Sequence, residues 1–213
     1  MFEKKVLKPS SIGIMSLVTS PPSNLIQFIE TCIFSYLHSR KVYASHTFDR
    51  RRVFDLIVYS SRLSDLVRYV SESLRNVEKF LASGELRQIC AVLADNEGNV
   101  TERLDFTFIK TLAGARNLSS LNISKDFARA ALVRLTRLQL PEFTCTDFSL
   151  AFEVGHGELG ENEANDDEFL IVRDRPDLVE KNVSNSRTST IPIVTVVSGS
   201  IRLCVKVETI HYI

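Results

Sequence analysis

The sequence lacks an excess of positive charge and has no clustered cysteines or histidines, the features typical of nucleic-acid-binding and metal-binding chains. Its 26 basic and 26 acidic residues cancel, so no whole-surface field would draw it to a nucleic-acid backbone. Its four cysteines lie far apart, form no CxxC pair and have no histidine at ligand spacing. This pattern argues against a zinc site and favours buried free thiols in a reducing compartment.

Catalytic motifs are also scarce. The four histidines are scattered, and no serine or cysteine stands in a nucleophile-elbow context. Residues 155–160, "GHGELG", satisfy GxGxxG, but the acidic residues after them would repel a phosphate and show no helical apolar period. An enzyme whose site forms only in three dimensions stays open as an alternative, which turnover by the purified protein would support.

No long apolar run is present. The first 20 residues place lysines before a mildly apolar stretch, but serines and a glycine dilute that stretch below the core of a signal peptide or a membrane span. We expect an intracellular protein, and 213 residues suit one fairly large domain.

The apolar spacing predicts an α+β domain with helices packed against an antiparallel sheet. Helical periods recur within residues 25–37, 66–81 and 127–138. Ser64 and Ser124 are expected to cap the second and third helices, and Gly84 to end the second. Residues 42–59 are interpreted as an extended segment or hairpin.

Strand patterns follow the second and third helices. The apolar run at residues 86–94 predicts a strand covered on both faces. Residues 101–108 alternate apolar side chains with Arg103, Asp105 and Thr107, which predicts a hairpin with one solvated face. A third strand is expected at residues 148–154.

The chain then changes character twice. Residues 158–168 are acidic and lack an apolar strand pattern, whereas residues 201–208 alternate apolar and polar side chains. A strand of the latter kind needs a sheet edge to pair with. We interpret the acidic run as a hinge loop and the C-terminal part as a piece that folds back over the core.

Several of these features together resemble the HORMA-domain family. The matching residues are Val42, Tyr43 and Phe48 after the first helix, Leu66 and Tyr69 in the second, and the strand pair joined at "DNEGN". The resemblance covers about residues 24–208. It implies a HORMA fold of three main helices on an antiparallel β-sheet, with residues 1–20 as an N-terminal extension, 21–154 as the core and 155–213 as a C-terminal "safety belt" of the same domain.

The resemblance also implies a binding mode. In the family the belt crosses over a partner peptide, which adds a strand beside the one at residues 148–154 here. The implied peptide-binding residues are Tyr69, Leu66, Phe148, Leu150, Phe152 and Val179. Tyr69 matches a tyrosine that contacts a proline-containing peptide, and packing on the helix flank stays an equal alternative.

Three further positions are carried over from the family. Arg129 matches an arginine at the surface where two HORMA domains meet, with a solvated helix face as the equal alternative. Cys204 and Lys206 fall on the belt surface that receives a second partner. Two residues depart from the family pattern, since Asp177 replaces a tryptophan and Lys206 an aromatic side chain.

The tail resembles one branch of the family more than others. "IVRDRPDLV" followed by "IPIVTVVSGSIRLCVKVE" is most similar to the accessory, non-catalytic subunit of translesion DNA polymerase zeta. That implies an adaptor in the nucleus, with the cytoplasm as a second location, and without enzymatic activity, cofactor, or direct nucleic-acid or membrane contact. It would capture a peptide of the catalytic subunit and bridge to an inserter polymerase in translesion DNA synthesis and DNA damage tolerance. The alternative is a spindle-checkpoint adaptor that binds a regulator of the anaphase-promoting ligase.

Overall fold

A computed structural model describes residues 24–110, 121, 123–140, 145, 147–154, 186–198 and 201–212. The elements in these residues are α1 (Asn24–Ser39), β1 (Phe48–Val53), β2 (Leu56–Ser61), α2 (Ser64–Ser83), β3 (Leu86–Ala94), β4 (Val100–Lys110), α3 (Lys125–Thr136), β5 (Asp147–Val154), β6 (Ser186–Ser198) and β7 (Ile201–Tyr212). The predicted α+β class is confirmed. No helix in these ranges is both long enough and apolar enough to span a membrane.

The main sheet has five strands in the order β5-β3-β4-β7-β6. All neighbouring strands are antiparallel. The last two strands form a hairpin that adds to β4, so the C-terminal segment completes the sheet. Leu203, Val205 and Val207 of β7 are buried, which confirms the strand that their alternation predicts.

Helix α1 is the centre of the core. The helical period of residues 25–37 predicts that this helix buries one face, whereas the structure buries it on almost every face. Phe28 explains this, because its ring lies 6.4 Å from Phe106 of β4 and 5.6 Å from Phe127 of α3, centroid to centroid. A helix enclosed by a sheet and other elements must be apolar around most of its circumference.

The helix ends predicted from the sequence are confirmed at Gly84 and Ser124 and wrong at Ser64. Gly84 ends α2 in the left-handed conformation with φ 73°, which glycine adopts without steric cost. Ser124 caps α3 by accepting a hydrogen bond from the Phe127 N–H at 3.2 Å. The cap expected from Ser64 is wrong: Ser64 is the first helical residue, Leu63 holds the N-cap position, and no side chain caps that end.

Strands β1 and β2 form a separate two-stranded hairpin, which is one of the two outcomes expected for residues 42–59. Its two-residue turn consists of Phe54 and Asp55, with φ 49° and 59°. Residues other than glycine, asparagine and aspartate rarely adopt such positive φ angles. The Phe54 ring packs edge-on against Phe28 with centroids 6.4 Å apart, and this core contact offsets the strain.

The solvated face expected on β4 is wrong. Arg103 and Asp105 are buried, Asp105 completely. The reason is that β4 is the central strand of the sheet, with Cys90 of β3 opposite Asp105 on one side and Lys206 of β7 on the other. Alternation of polar with apolar residues indicates an exposed face only where the polar side chains lack charged partners within the sheet.

Candidate functional site

The candidate site is the outer edge of the main sheet at β5. β5 pairs with β3 on one side, and within the described ranges no strand pairs with its other side. A free strand edge is a template for pairing with another chain. Phe148, Leu150 and Phe152 share one face of β5 and are half-buried against the core.

Tyr69 reaches this edge from α2. Its hydroxyl accepts a hydrogen bond from the backbone N–H of Leu150 at 2.9 Å. Its ring packs edge-on against Phe148, with centroids 6.1 Å apart. Burial raises the pKa of Tyr69, the Leu150 hydrogen bond lowers it, and Asp147 raises it, with a net upward shift. The hydroxyl therefore keeps its proton at neutral pH.

The Tyr69 contact also reveals which backbone groups of β5 face outward. The N–H and C=O of one strand residue point to the same side, and the next residue points to the other. Because the Leu150 N–H meets Tyr69 rather than β3, Leu150 directs its backbone groups to the outer edge. Phe148 and Phe152, two residues away on either side, do the same.

Two further residues, Tyr43 and Cys145, lie near the start of β5, and Tyr43 is within electrostatic reach of Tyr69. Burial raises the pKa of Tyr43, and its neighbours Cys145, Asp147 and Tyr69 raise it further. The Cys145 thiol donates a hydrogen bond to the Asp147 carbonyl at 3.3 Å. The sequence indicates Tyr43 only through the family resemblance, and it gives no sign that Cys145 lies near Tyr43, because the two residues are 102 positions apart in the chain.

The structure distributes the other expected site residues over several places. Leu66 lies on α2 and is buried in the core. Arg129 lies on α3 with a side chain 46% exposed and pairs with Asp126 at 3.8 Å, a surface separate from β5. Val179 and Asp177 lie outside the described residues.

Cys204 and Lys206 lie on one face of β7, where Lys206 belongs to a charge cluster. The cluster consists of Arg103 and Asp105 of β4 and Lys206 and Glu208 of β7. Glu208 accepts hydrogen bonds from Arg103 and from Lys206. Asp105 lies 4.0 Å from the Arg103 Nε and 3.7 Å from the Lys206 Nζ.

Burial and charge act in opposite directions on the two carboxyls of the cluster. Burial raises the pKa of Asp105, and Arg103 and Lys206 lower it only in part, so the net shift is upward. Burial also raises the pKa of Glu208, but the hydrogen bonds from Lys206 and Arg103 outweigh it and the net shift is downward. Glu208 is therefore the well-stabilised anion that ties β7 to β4.

Within the part of the chain that the structure describes, no group of three or more His, Cys, Asp or Glu side chains is placed to hold a metal ion. The described residues form three α-helices and an antiparallel sheet completed by a C-terminal hairpin, and among them the β5 edge is unpaired and carries aromatic side chains. These features define an α+β domain with an edge suited to strand addition.

Solved structures identify this architecture as the HORMA fold. A chain of the mitotic checkpoint complex superposes with a TM-score of 0.64 at 15% identity, over 87% of this chain and 96% of that one. C. elegans HTP-1 bound to motif 1 of HTP-3 gives a TM-score of 0.59 at 14% identity, over 89% of each chain. C. elegans HTP-2 bound to the HIM-3 closure motif gives 0.57 at 14% identity, over 87% of this chain and 88% of that one.

Curated relatives of the HORMA-domain family are similar to half or more of this chain. The mitotic spindle checkpoint component MAD2 of Saccharomyces cerevisiae is 29% identical over 125 residues, which is 55% of this chain and 63% of that protein. The mitotic spindle assembly checkpoint protein MAD2B of Gallus gallus is 24% identical over 113 residues, 53% of this chain and 54% of that protein. MAD2B of Danio rerio is 22% identical over 193 residues, 86% of this chain and 88% of that protein. No family model matches the chain.

The matches with the first two relatives span between about half and two thirds of the length of those proteins. The comparisons show the fold of this chain and its likeness to MAD2 and MAD2B.

Proposed function

We propose that this protein is a non-catalytic adaptor that captures an extended peptide as an added strand along the outer edge of β5. The observation that carries the proposal is the pairing of β5, which among the described residues has a strand on one side only. Main-chain hydrogen bonds along that edge would supply affinity, and the aromatic surroundings of Tyr69 and Phe148 would select the peptide's side chains.

In this proposal residues 155–213 form the belt, and its part before β6 crosses over the bound peptide. The position of the two ends of that part supports this path, because β5 lies at one edge of the sheet and β6 at the other. Encirclement would mainly slow release, since a peptide enclosed in this way leaves only after β7 separates from β4. The cluster of Arg103, Asp105, Lys206 and Glu208 would resist that separation.

The partner that we favour is the catalytic subunit of translesion DNA polymerase zeta. The resemblance of the C-terminal tail to the accessory subunit of that polymerase supports this choice. A second surface around Cys204 and Lys206 would then receive an inserter polymerase, and Arg129 would lie where two such domains meet. The working place of the complex would be the nucleus.

A checkpoint adaptor is the second candidate, and a specific observation favours it. The S. cerevisiae relative with 29% identity is a mitotic spindle checkpoint component, and the mitotic checkpoint complex contains a chain of the same fold. In that case the captured peptide would belong to a regulator of the anaphase-promoting ligase. The two candidates share the site and differ in the peptide.

Binding to two sets of overlapping synthetic peptides separates the candidates. One set would span the catalytic subunit of polymerase zeta and the other the regulators of the anaphase-promoting ligase, with fluorescence anisotropy as the readout. We expect the full-length chain to bind members of the first set. Binding to the second set alone would establish the checkpoint candidate, and binding to neither would reject both.

The variant Leu150→Pro tests whether the edge of β5 is the site. Proline removes an N–H that faces outward and leaves the pairing with β3 in place, as an edge strand tolerates. We expect a loss of at least about tenfold in affinity, because the added strand loses a hydrogen bond and meets the proline ring. Leu150→Val keeps the N–H and is the matched control. A folded Leu150→Pro protein that binds as tightly as the wild type would refute the edge site.

A further inference from the structure

The hydrogen bond between Tyr69 and Leu150 occupies a position that strand addition requires. It joins two residues that are 81 positions apart in the chain. Tyr69 lies on α2, and its hydroxyl reaches the outer edge of β5. A peptide that pairs antiparallel with Leu150 would accept a hydrogen bond from the same N–H. The Tyr69 hydroxyl and the peptide carbonyl therefore compete for one donor.

We propose that Tyr69 is a displaceable cap on the edge of β5: its hydroxyl satisfies the Leu150 N–H in the free protein and gives it up when a peptide strand binds. This inference rests on the proposed capture of a peptide at that edge. It assigns the hydroxyl a role opposite to that of the ring, because the hydroxyl opposes binding while the ring contributes contact area.

The surroundings of Tyr69 make such an exchange feasible. The residue is 40% exposed, so a hydroxyl that leaves Leu150 can be solvated at once. The carbonyl of a peptide is as good an acceptor as a phenol oxygen, so the exchange conserves the number of hydrogen bonds. The ring keeps its edge-on contact with Phe148 if it rotates by a small angle, and it then lies beside the incoming strand.

A cap of this kind also protects the free protein. An uncovered strand edge is a template for pairing with other chains, and proteins protect such edges with charged side chains, proline, bulges or a covering element. Among the described residues, the Leu150 N–H is the outward donor of β5 that meets a side-chain acceptor. A peptide must therefore offer a carbonyl opposite Leu150, and a segment that cannot do so leaves the cap in place.

Amide hydrogen exchange on the free protein tests the cap without any ligand. In the wild type we expect the Leu150 amide to be protected, and in Tyr69→Phe, which has the same shape without the hydroxyl, we expect its exchange to be faster by roughly 2- to 12-fold. The Phe152 amide, which also faces outward, is the internal control and should not change. An unchanged Leu150 exchange rate in Tyr69→Phe would overturn the cap.

Peptide binding tests the competition. The probe is the tightest 12-residue peptide selected from a random library on the wild-type protein, measured by stopped-flow fluorescence. We expect Tyr69→Phe to bind it up to about tenfold more tightly, chiefly through faster association, and Tyr69→Ala to bind it more weakly because the ring is lost. A Tyr69→Phe protein that is weakened as much as Tyr69→Ala would show that the hydroxyl contacts the peptide, which overturns the competition.

The two measurements separate this inference from the proposed function. If the library yields no peptide while the Leu150 amide responds to Tyr69→Phe, peptide capture fails and Tyr69 only protects the edge, so the competition fails with it. If peptides bind and the amide does not respond, capture stands and the cap is wrong.

Discussion

The charge cluster between β4 and β7 yields a quantitative prediction for Glu208→Gln. Glutamine keeps the size of the side chain and removes the anion that accepts hydrogen bonds from Arg103 and Lys206. The side chains of Arg103 and Glu208 are each 9% exposed, so the Arg103 guanidinium cannot recover full hydration once the anion is removed.

The expected cost follows from what the variant leaves behind. Removing one partner of a buried pair typically costs about 3–5 kcal/mol, because the other charge stays buried without compensation. Here Asp105 remains near both cations, and Lys206 is 33% exposed and can turn toward water. We therefore expect the free energy of unfolding to fall by about 2–3 kcal/mol.

Equilibrium unfolding in urea measures this change, with an exposed ion pair as the control. Arg62 and Asp49 lie 3.6 Å apart with side chains 61% and 54% exposed, so Asp49→Asn should cost at most about 1 kcal/mol. Raising the salt concentration should abolish the cost of Asp49→Asn and leave most of the cost of Glu208→Gln, because buried pairs are screened less. Equal costs for the two variants would refute the reasoning.

Two further predictions concern buried polar groups of β4. The free energy of unfolding of Asp105→Asn should rise relative to that of the wild type as the pH increases from about 4 to 7. The reason is that burial raises the folded-state pKa of Asp105. The wild type therefore loses stability as this carboxyl ionises, and the variant, which lacks the carboxyl, does not. Urea unfolding across this pH range measures the difference, and a difference independent of pH would contradict it. Tyr36→Phe should lower the free energy of unfolding by about 1–3 kcal/mol, because the Tyr36 hydroxyl donates a buried 2.5 Å hydrogen bond to Glu102. Thermal unfolding with a transition unchanged from the wild type would contradict that expectation.

The spacing of apolar residues was enough to predict the main elements. The helical period of α1 to α3, the glycine after α2 and the alternation in β4, β5 and β7 are local features, and each has a local physical cause. The cap at Ser124 is likewise local, since a serine side chain reaches the N–H three residues on. The turn at Phe54 and Asp55 lacks a typical turn signal, which is why residues 42–59 allowed either a hairpin or an extended segment.

Burial of the polar side chains could not be predicted from the sequence. Arg103 and Asp105 alternate with apolar residues as on a solvated strand, and only the placement of β7 beside β4 brings Lys206 and Glu208 against them. Lys206 was expected on a surface for a second partner, and the structure places it in contact with Glu208 and near Asp105.

The candidate site divides in the same way. The sequence by itself determined the apolar face of β5, and the family resemblance pointed to Tyr69. Only the tertiary structure decided that β5 is an edge strand among the described residues, that the Tyr69 hydroxyl meets the Leu150 N–H, and that Tyr43 comes within electrostatic reach of Tyr69 and Cys145. The physical reason is that side-chain period depends on the local chain, whereas strand order and cross-chain hydrogen bonds depend on how distant segments pack.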